Sequence, residues 1–247
     1  MGISRGSLYY VAKQDKKDWE LKVRMEEVLH AHPSYGSRRL SIALGVNRKR
    51  TQRVMRIYGV KPYRRRGRRY RTRKAPQHYP NLLLKTMPAC PHHIWATDFT
   101  ELVFHGTKLY VSTIIDLFTR QVVGIHVGTR KGSPLTVQTL ANALFHYPRP
   151  TIFHSDNGSE YGAKAFISLL EAYDITISRS RPGSPWENGY QESFYGKFKV
   201  DLGDPNRFNT FGELVAEIYQ TLWSYNHTRI HSALRMPPAV FAKKVAA

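Results

Sequence analysis

The sequence predicts an α/β protein, a mixed five-stranded sheet flanked by helices and preceded by a small all-α domain. Three observations lead there. Between residues 91 and 205, five short apolar runs alternate with three helical patterns in the order β-β-β-α-β-α-β-α. Residues 15–57 carry only short helical patterns, separated by Pro, Gly and Asn breaks. The charge also divides: residues 1–90 hold 23 Lys/Arg against 5 Asp/Glu, and residues 91–247 hold 15 against 13. A formal charge of +20 concentrated at the front implies a front that grips a polyanion and a back that does something else.

Residues 1–12 read as the tail of something rather than a unit. From Asp15 to Ala31 the pattern is helical, with Trp19, Leu21, Val23, Met25, Val28 and Leu29 among Lys and Glu. His32-Pro33-Ser34-Tyr35-Gly36 breaks it, and Ser37–Leu44 forms a second short helix. Gly45-Val46-Asn47 turns the chain, with Asn47 an N-cap for a third helix from Arg48 to Ile57. This is the outline of a helix-turn-helix over residues 1–60, in which Arg48, Lys49, Arg50, Gln52 and Arg53 face DNA while Val54, Ile57 and Tyr58 pack inward. Residues 61–90 are expected to be a basic linker. Its densest part includes Arg64, Arg65, Arg66, Arg68 and Arg69, which cannot pack on itself and suits DNA phosphates.

The domain over 91–205 begins with three strands, Ile94–Phe104, Lys108–Phe118 and Gln121–Val127, close enough to form an antiparallel meander. Ser133 is expected to cap a helix to His146 whose inner face carries Leu135, Val137, Leu140, Ala143 and Leu144. Thr151–His154 is a fourth strand, Ala163–Tyr173 a helix, Ile175–Ser178 a fifth strand, and Trp186–Leu202 a long helix. The order is ribonuclease-H-like. Residues 206–247 are expected to add a helical extension.

Cys90 is the only cysteine, which excludes an internal disulfide and suits a reducing compartment. No apolar run reaches the roughly 18 residues of a membrane span, and no signal-peptide pattern is present, so a soluble cytoplasmic protein is expected.

Three acids stand out. Asp98 lies mid-strand, sharing a face with Ala96, where an unpaired acid is costly to bury. Asp156 follows an apolar strand at the carboxyl end of the sheet, where ligand sites gather, and Asn157-Gly158 comes next. Glu192 shares a helical face with Asn188 and Lys199, opposite Phe194 and Phe198, so one face offers an amide, a carboxylate and an ammonium. Three carboxylates meeting at one sheet end suit divalent metal, and a pair of Mg²⁺ ions about 4 Å apart could cleave phosphodiesters. The other candidates are weaker. His92-His93 lacks partners at zinc spacing and reads as structural. Asp116 suits a structural acceptor. Glu160 can as easily point at solvent, and His154 stands open between a core histidine and a substrate contact.

These pieces resemble the OrfB-type transposases of bacterial insertion sequences, whose catalytic domain is similar to retroviral integrases. The matching stretches are Trp95-Ala96-Thr97-Asp98-Phe99-Thr100, His154-Ser155-Asp156-Asn157-Gly158-Ser159-Glu160-Tyr161 and Asn188-Gly189-Tyr190-Gln191-Glu192-Ser193-Phe194. Lys199 and the tail from Tyr225 to Leu234 with Pro237-Pro238 also match, and His32–Arg56 looks like the family's helix-turn-helix. The resemblance implies that Asp98, Asp156 and Glu192 are metal-binding catalytic acids using two Mg²⁺ or Mn²⁺ ions. It implies that Lys199 contacts the element's end; Asn188 and Lys197, in the same stretch, are also expected to meet DNA. It further implies cleavage at element ends and joining of the 3′-OH to target DNA, by a homo-oligomer in the bacterial nucleoid. Relatives are commonly fused to, or assisted by, an upstream-frame protein, and the abrupt start fits a catalytic part alone. Two departures are Glu187-Asn188-Gly189 in place of Asp-Asn-Ala, and Val200–Asp204 in place of a Lys/Glu-rich continuation. A hydrolysis-only nuclease of the same fold and a non-catalytic DNA-binding protein are the alternatives.

Overall fold

In the computed structural model the described residues are 13–63, 79–181 and 184–246. They fall into two units, residues 1–64 and 65–247.

The first unit contains helices α1 (Lys13–Ala31), α2 (Ser37–Ala43) and α3 (Arg48–Ile57). Leu21, Met25, Tyr35, Leu40 and Val54 are buried in it. Asn47 caps α3 as expected, its Oδ1 accepting from the Lys49 N–H at 2.8 Å. Three apolar positions depart from the expected pattern: Trp19, Val23 and Ile57 are exposed, and on α3 it is Thr51 and Val54 that turn inward. Tyr58 meets the Trp19 ring edge-on.

In the second unit, strands β1 (Ile94–Phe104), β2 (Thr107–Asp116), β3 (Val122–Gly128), β4 (Ile152–Ser155) and β5 (Thr176–Arg179) form one sheet in the order β3-β2-β1-β4-β5. The first three are an antiparallel meander, while β4 runs parallel to β1 and β5 parallel to β4. The strands alternate faces, so Leu109, Val111 and Ile115 of β2 join one core and Ile114 the other. Helices α4 (Ser133–His146) and α5 (Lys164–Ala172) cover the Ile114 side, through Leu140, Ala143, Phe166 and Leu170. Helices α6 (Gly189–Leu202) and α7 (Phe211–His227) cover the other, through Phe194, Phe198, Leu214, Ile218 and Leu222. Helix α8 (Pro238–Ala246) follows.

Close packing explains Gly124, since a Cβ there would stand 2.8 Å from the Thr139 carbonyl oxygen and 2.9 Å from the Ala143 Cβ on α4. Strand β3 is an edge, and Asn226 of α7 satisfies it like a piece of strand. Its Oδ1 accepts from the Val122 N–H and its Nδ2 donates to the Val122 carbonyl, both at 2.9 Å.

Several boundaries differ from expectation by a residue or two, β2 ending at Asp116 rather than Phe118 among them, and three differences bear on the site. Gly132, at φ 151°, caps α4 in place of Ser133, which is already helical. Helix α6 starts at Gly189, after a 3-10 turn over Pro185–Asn188. Residues 79–90 belong with the sheet rather than with a linker. Leu82 and Leu83 pack against Ile94, Ala96, Leu117 and Ile152. The edge of β5 is closed by Pro80, whose carbonyl accepts from the Arg179 N–H at 3.1 Å.

Candidate active site

Asp98 lies on β1 just past the point where pairing with β4 ends at Ala96. Its Oδ1 accepts from the Phe99 N–H at 2.8 Å. Burial raises its carboxyl to a pKa of about 8, and the charges of Asp156, Glu160 and Glu192 add to the rise against that one N–H. Asp156 follows β4 directly. Its Oδ1 accepts from the Gly158 N–H at 2.8 Å. Burial pushes its pKa up; the Gly158 N–H opposes this, the Glu160 charge adds to it, and Lys131 and Arg179 oppose it.

Glu160 was expected to be as ready to face solvent as to face Asp156. It turns inward, only 5% exposed. A Cβ on Gly158 would stand 2.6 Å from Glu160 Oε1 and 2.9 Å from Asp156 Oδ1, so the two carboxylates converge on a backbone that only glycine leaves open. The signal in the sequence was Asp156-x-Gly158-x-Glu160, with the acids one short turn apart.

Glu192 sits in the first turn of α6, where a helix N-terminus favours an acid. It is exposed. The face of α6 that meets β1 carries donors to the strand's backbone. Gln191 Nε2 donates to the Ala96 carbonyl at 2.6 Å, the Tyr195 hydroxyl to the Asp98 carbonyl at 2.6 Å, and Lys199 Nζ to the Glu101 carbonyl at 2.8 Å. Spaced four apart, they fasten the helix bearing Glu192 along the strand bearing Asp98. Lys199 is thus tied to the strand and half-buried, not displayed. Asn188 does not share the helical face at all: it precedes α6, is 7% exposed, and its Oδ1 has no hydrogen-bond partner. Lys197 Nζ donates to Ser193 Oγ at 2.7 Å.

Asp156, Glu160 and Glu192 thus act on Asp98, and Glu160 acts on Asp156. The expected ready-made metal set is not closed, however. Among the described residues no group of three or more His, Cys, Asp or Glu is placed so that it could hold a metal ion.

The remaining candidates resolve into structural roles. His154 is fully buried, bonded through Nδ1 to Ser178 Oγ at 2.9 Å, and burial lowers its pKa to about 4, which makes it a neutral core histidine. Asp116 accepts from the N–H groups of His92, Phe118 and Thr119 and from Thr119 Oγ1. His92 Nδ1 accepts from Trp95 Nε1, and His93 Nδ1 from the Ala89 N–H. On α3, Arg48 and Lys49 are exposed. Arg50 and Arg53, expected to face DNA, turn to α1 instead. Arg53 Nη2 is 2.6 Å from Asp18 Oδ2, and Arg50 Nη2 donates to the Lys17 carbonyl at 3.1 Å. Arg64, Arg65, Arg66, Arg68 and Arg69 lie outside the described residues.

Two family models, both described as integrase core domain, match residues 88–185 and 173–238. The chain is 30% identical to the putative transposase InsK for insertion sequence element IS150 of Escherichia coli, over 94% of this chain and 87% of that protein. It is 31% identical to the transposase for insertion sequence element IS904 of Lactococcus lactis, over 90% and 93%. Among solved structures, the HTLV-2 integrase catalytic core domain in complex with magnesium superposes with a TM-score of 0.54 at 20% identity, over 63% of this chain and 99% of that one. The ribonuclease-H-like sheet is therefore that of an integrase core, and the chain belongs to the transposases of bacterial insertion sequences.

Proposed function

We propose that Asp98, Asp156 and Glu192 are the carboxylates with which this transposase cuts DNA at the ends of its element and joins the freed 3′-OH to target DNA. The observation that carries this reading is the convergence of Asp156, Glu160 and Glu192 on Asp98, close enough for their charges to add to the rise in its pKa that burial causes. Such a gathering is unfavourable for a fold and well suited to a cation. The donors are all hard carboxylate oxygens, which suit Mg²⁺ or Mn²⁺, and Gly158 keeps the space between Asp156 and Glu160 open. The magnesium named with the HTLV-2 core supports the same choice. Asp98, Asp156 and Glu192 would hold the metal, as two ions. When bound, it activates the attacking oxygen and stabilises the leaving one.

The chain's own residues prepare that chemistry. Burial and the neighbouring acids favour the protonated form of Asp98, and a bound cation would favour its carboxylate. Gln191 and Tyr195 bind the carbonyls of Ala96 and Asp98 and so orient the strand beneath Asp98. In the first step water attacks phosphorus at the element's end, the P–O3′ bond breaks, and the 3′ oxygen leaves as a hydroxyl while the flank keeps a 5′-phosphate. In the second step that 3′-OH attacks phosphorus in the target, and the target's own P–O3′ bond breaks. No covalent enzyme intermediate forms. We assign DNA contacts to Arg48, Lys49, Lys197 and the arginines of residues 64–69. We also assign the working form to a homo-oligomer on double-stranded DNA in the cytoplasm, with or without an upstream-frame protein.

The test is Mg²⁺-dependent cleavage of a duplex carrying the element's end, by wild type, Asp98→Asn and Glu192→Gln. Cleavage by wild type alone supports the assignment, and equal cleavage by the variants overturns it.

A further inference from the structure

Asp98 and the three acids around it attract a cation but disfavour a DNA phosphate, so a strand entering there needs positive charge at the lip. Two basic side chains act on Asp156, Lys131 and Arg179. Arg179 is buried, donates through Nη2 to the Tyr161 carbonyl at 2.6 Å and lies over the Tyr79 ring. Lys131 is different. Its side chain is 51% exposed, yet it is held in place from two sides. Nζ lies 3.7 Å from Glu160 Oε1, whose own side chain is 3% exposed, and 4.7 Å from the centroid of the Phe99 ring, the residue next to Asp98. The turn that presents it ends at Gly132, whose φ of 151° a side chain would strain. An ammonium gripped on one side by a buried carboxylate and a ring, and open on the other to solvent, is pre-positioned for an anion.

We propose that Lys131 is a substrate-contacting residue of this site, binding one phosphate of the DNA strand that lies across the acids, and that Glu160 is the positioning residue that holds it there. The contact rests on the reading of the site as a DNA-cutting centre. It complements Lys199, the lysine expected to meet DNA, whose Nζ donates to the Glu101 carbonyl.

Lys131→Ala leaves Glu160 buried beside no ammonium, so the double variant Lys131→Ala/Glu160→Gln is measured with it, removing both charges together. Binding is measured in Ca²⁺, so that chemistry does not intervene, to duplexes carrying one uncharged methylphosphonate at each position around the cleavage point in turn. We expect both variants to bind the unmodified duplex about ten-fold more weakly, with a salt slope smaller by about 1. We expect that loss to vanish on the duplex neutralised at one position, and Lys131→Arg to bind like wild type. The same loss on every duplex, with an unchanged salt slope, would mean that Lys131 is only the counter-ion of Glu160 and would overturn the inference. Because the readout is binding, it is separate from the cleavage test of Asp98 and Glu192.

Discussion

Asp98→Asn should make the metal-free protein more stable while abolishing its chemistry. An aspartate carboxyl ordinarily has a pKa of 3.8, and in the fold Asp98 stands at about 8. Because the folded value is the raised one, the folded state binds the extra proton, and stability falls as pH rises from about 4 to about 8. At pH 7 the unfolded carboxyl is ionised and the folded one is not, so about three units at 1.36 kcal/mol each give a cost of about 4 kcal/mol. At pH 5 the same arithmetic leaves less than about 2 kcal/mol. Asparagine does not titrate, and its amide oxygen can still accept from the Phe99 N–H, as Asp98 Oδ1 does. Thermal unfolding in EDTA should therefore show the variant melting higher than wild type. The gap should widen between pH 5 and pH 7 by roughly 5–10 °C, at about 2–4 °C per kcal/mol for a chain of this size. A gap that is constant across that range, or a variant that melts lower at pH 7, would refute the claim that the acids around Asp98 are electrostatically frustrated.

Gln191→Ala removes the donor to the Ala96 carbonyl, so kcat for cleavage should fall about ten-fold with DNA affinity unchanged; parallel losses in both would mean simple unfolding. Arg229→Ala breaks the 2.6 Å pair with Asp201, both side chains being largely buried, and should cost about 3–5 kcal/mol in urea unfolding, with a loss under 1 kcal/mol excluding the pair as an anchor. Gly158→Ala places a methyl against the carboxylates of Asp156 and Glu160 and should abolish Mg²⁺-dependent cleavage while leaving binding in Ca²⁺ intact.

The sheet was legible because its strands are apolar runs cut by turn residues, and the meander followed from their close spacing. Asp98 and Asp156 were legible for the same reason, since each sits on or just past an apolar strand. What was not legible depends on contacts between distant parts of the chain. Glu160 turns inward because Gly158 lets the backbone pass under it. Asn188 is buried because a 3-10 turn precedes α6. Lys199 is drawn to a carbonyl 98 residues away, and Arg53 to Asp18, 35 residues away. Residues 79–90 looked like linker by their prolines and neighbouring charge, yet Leu82 and Leu83 fill a gap beside Ile94 and Ile152. Local pattern places an element on the sheet, but it does not say which charge will find a partner across it.

The central claim is that these carboxylates both cut and join. Its most direct measurement is a strand-transfer reaction with Mg²⁺, a pre-cut element end and a target plasmid, with the joints sequenced, for wild type and for Asp98→Asn, Asp156→Asn and Glu192→Gln. Wild type should give element 3′ ends covalently joined to target 5′-phosphates, and each variant at least about a hundred-fold fewer joints. Joints formed equally by the variants, or cleavage by wild type with no joints at all, would contradict it.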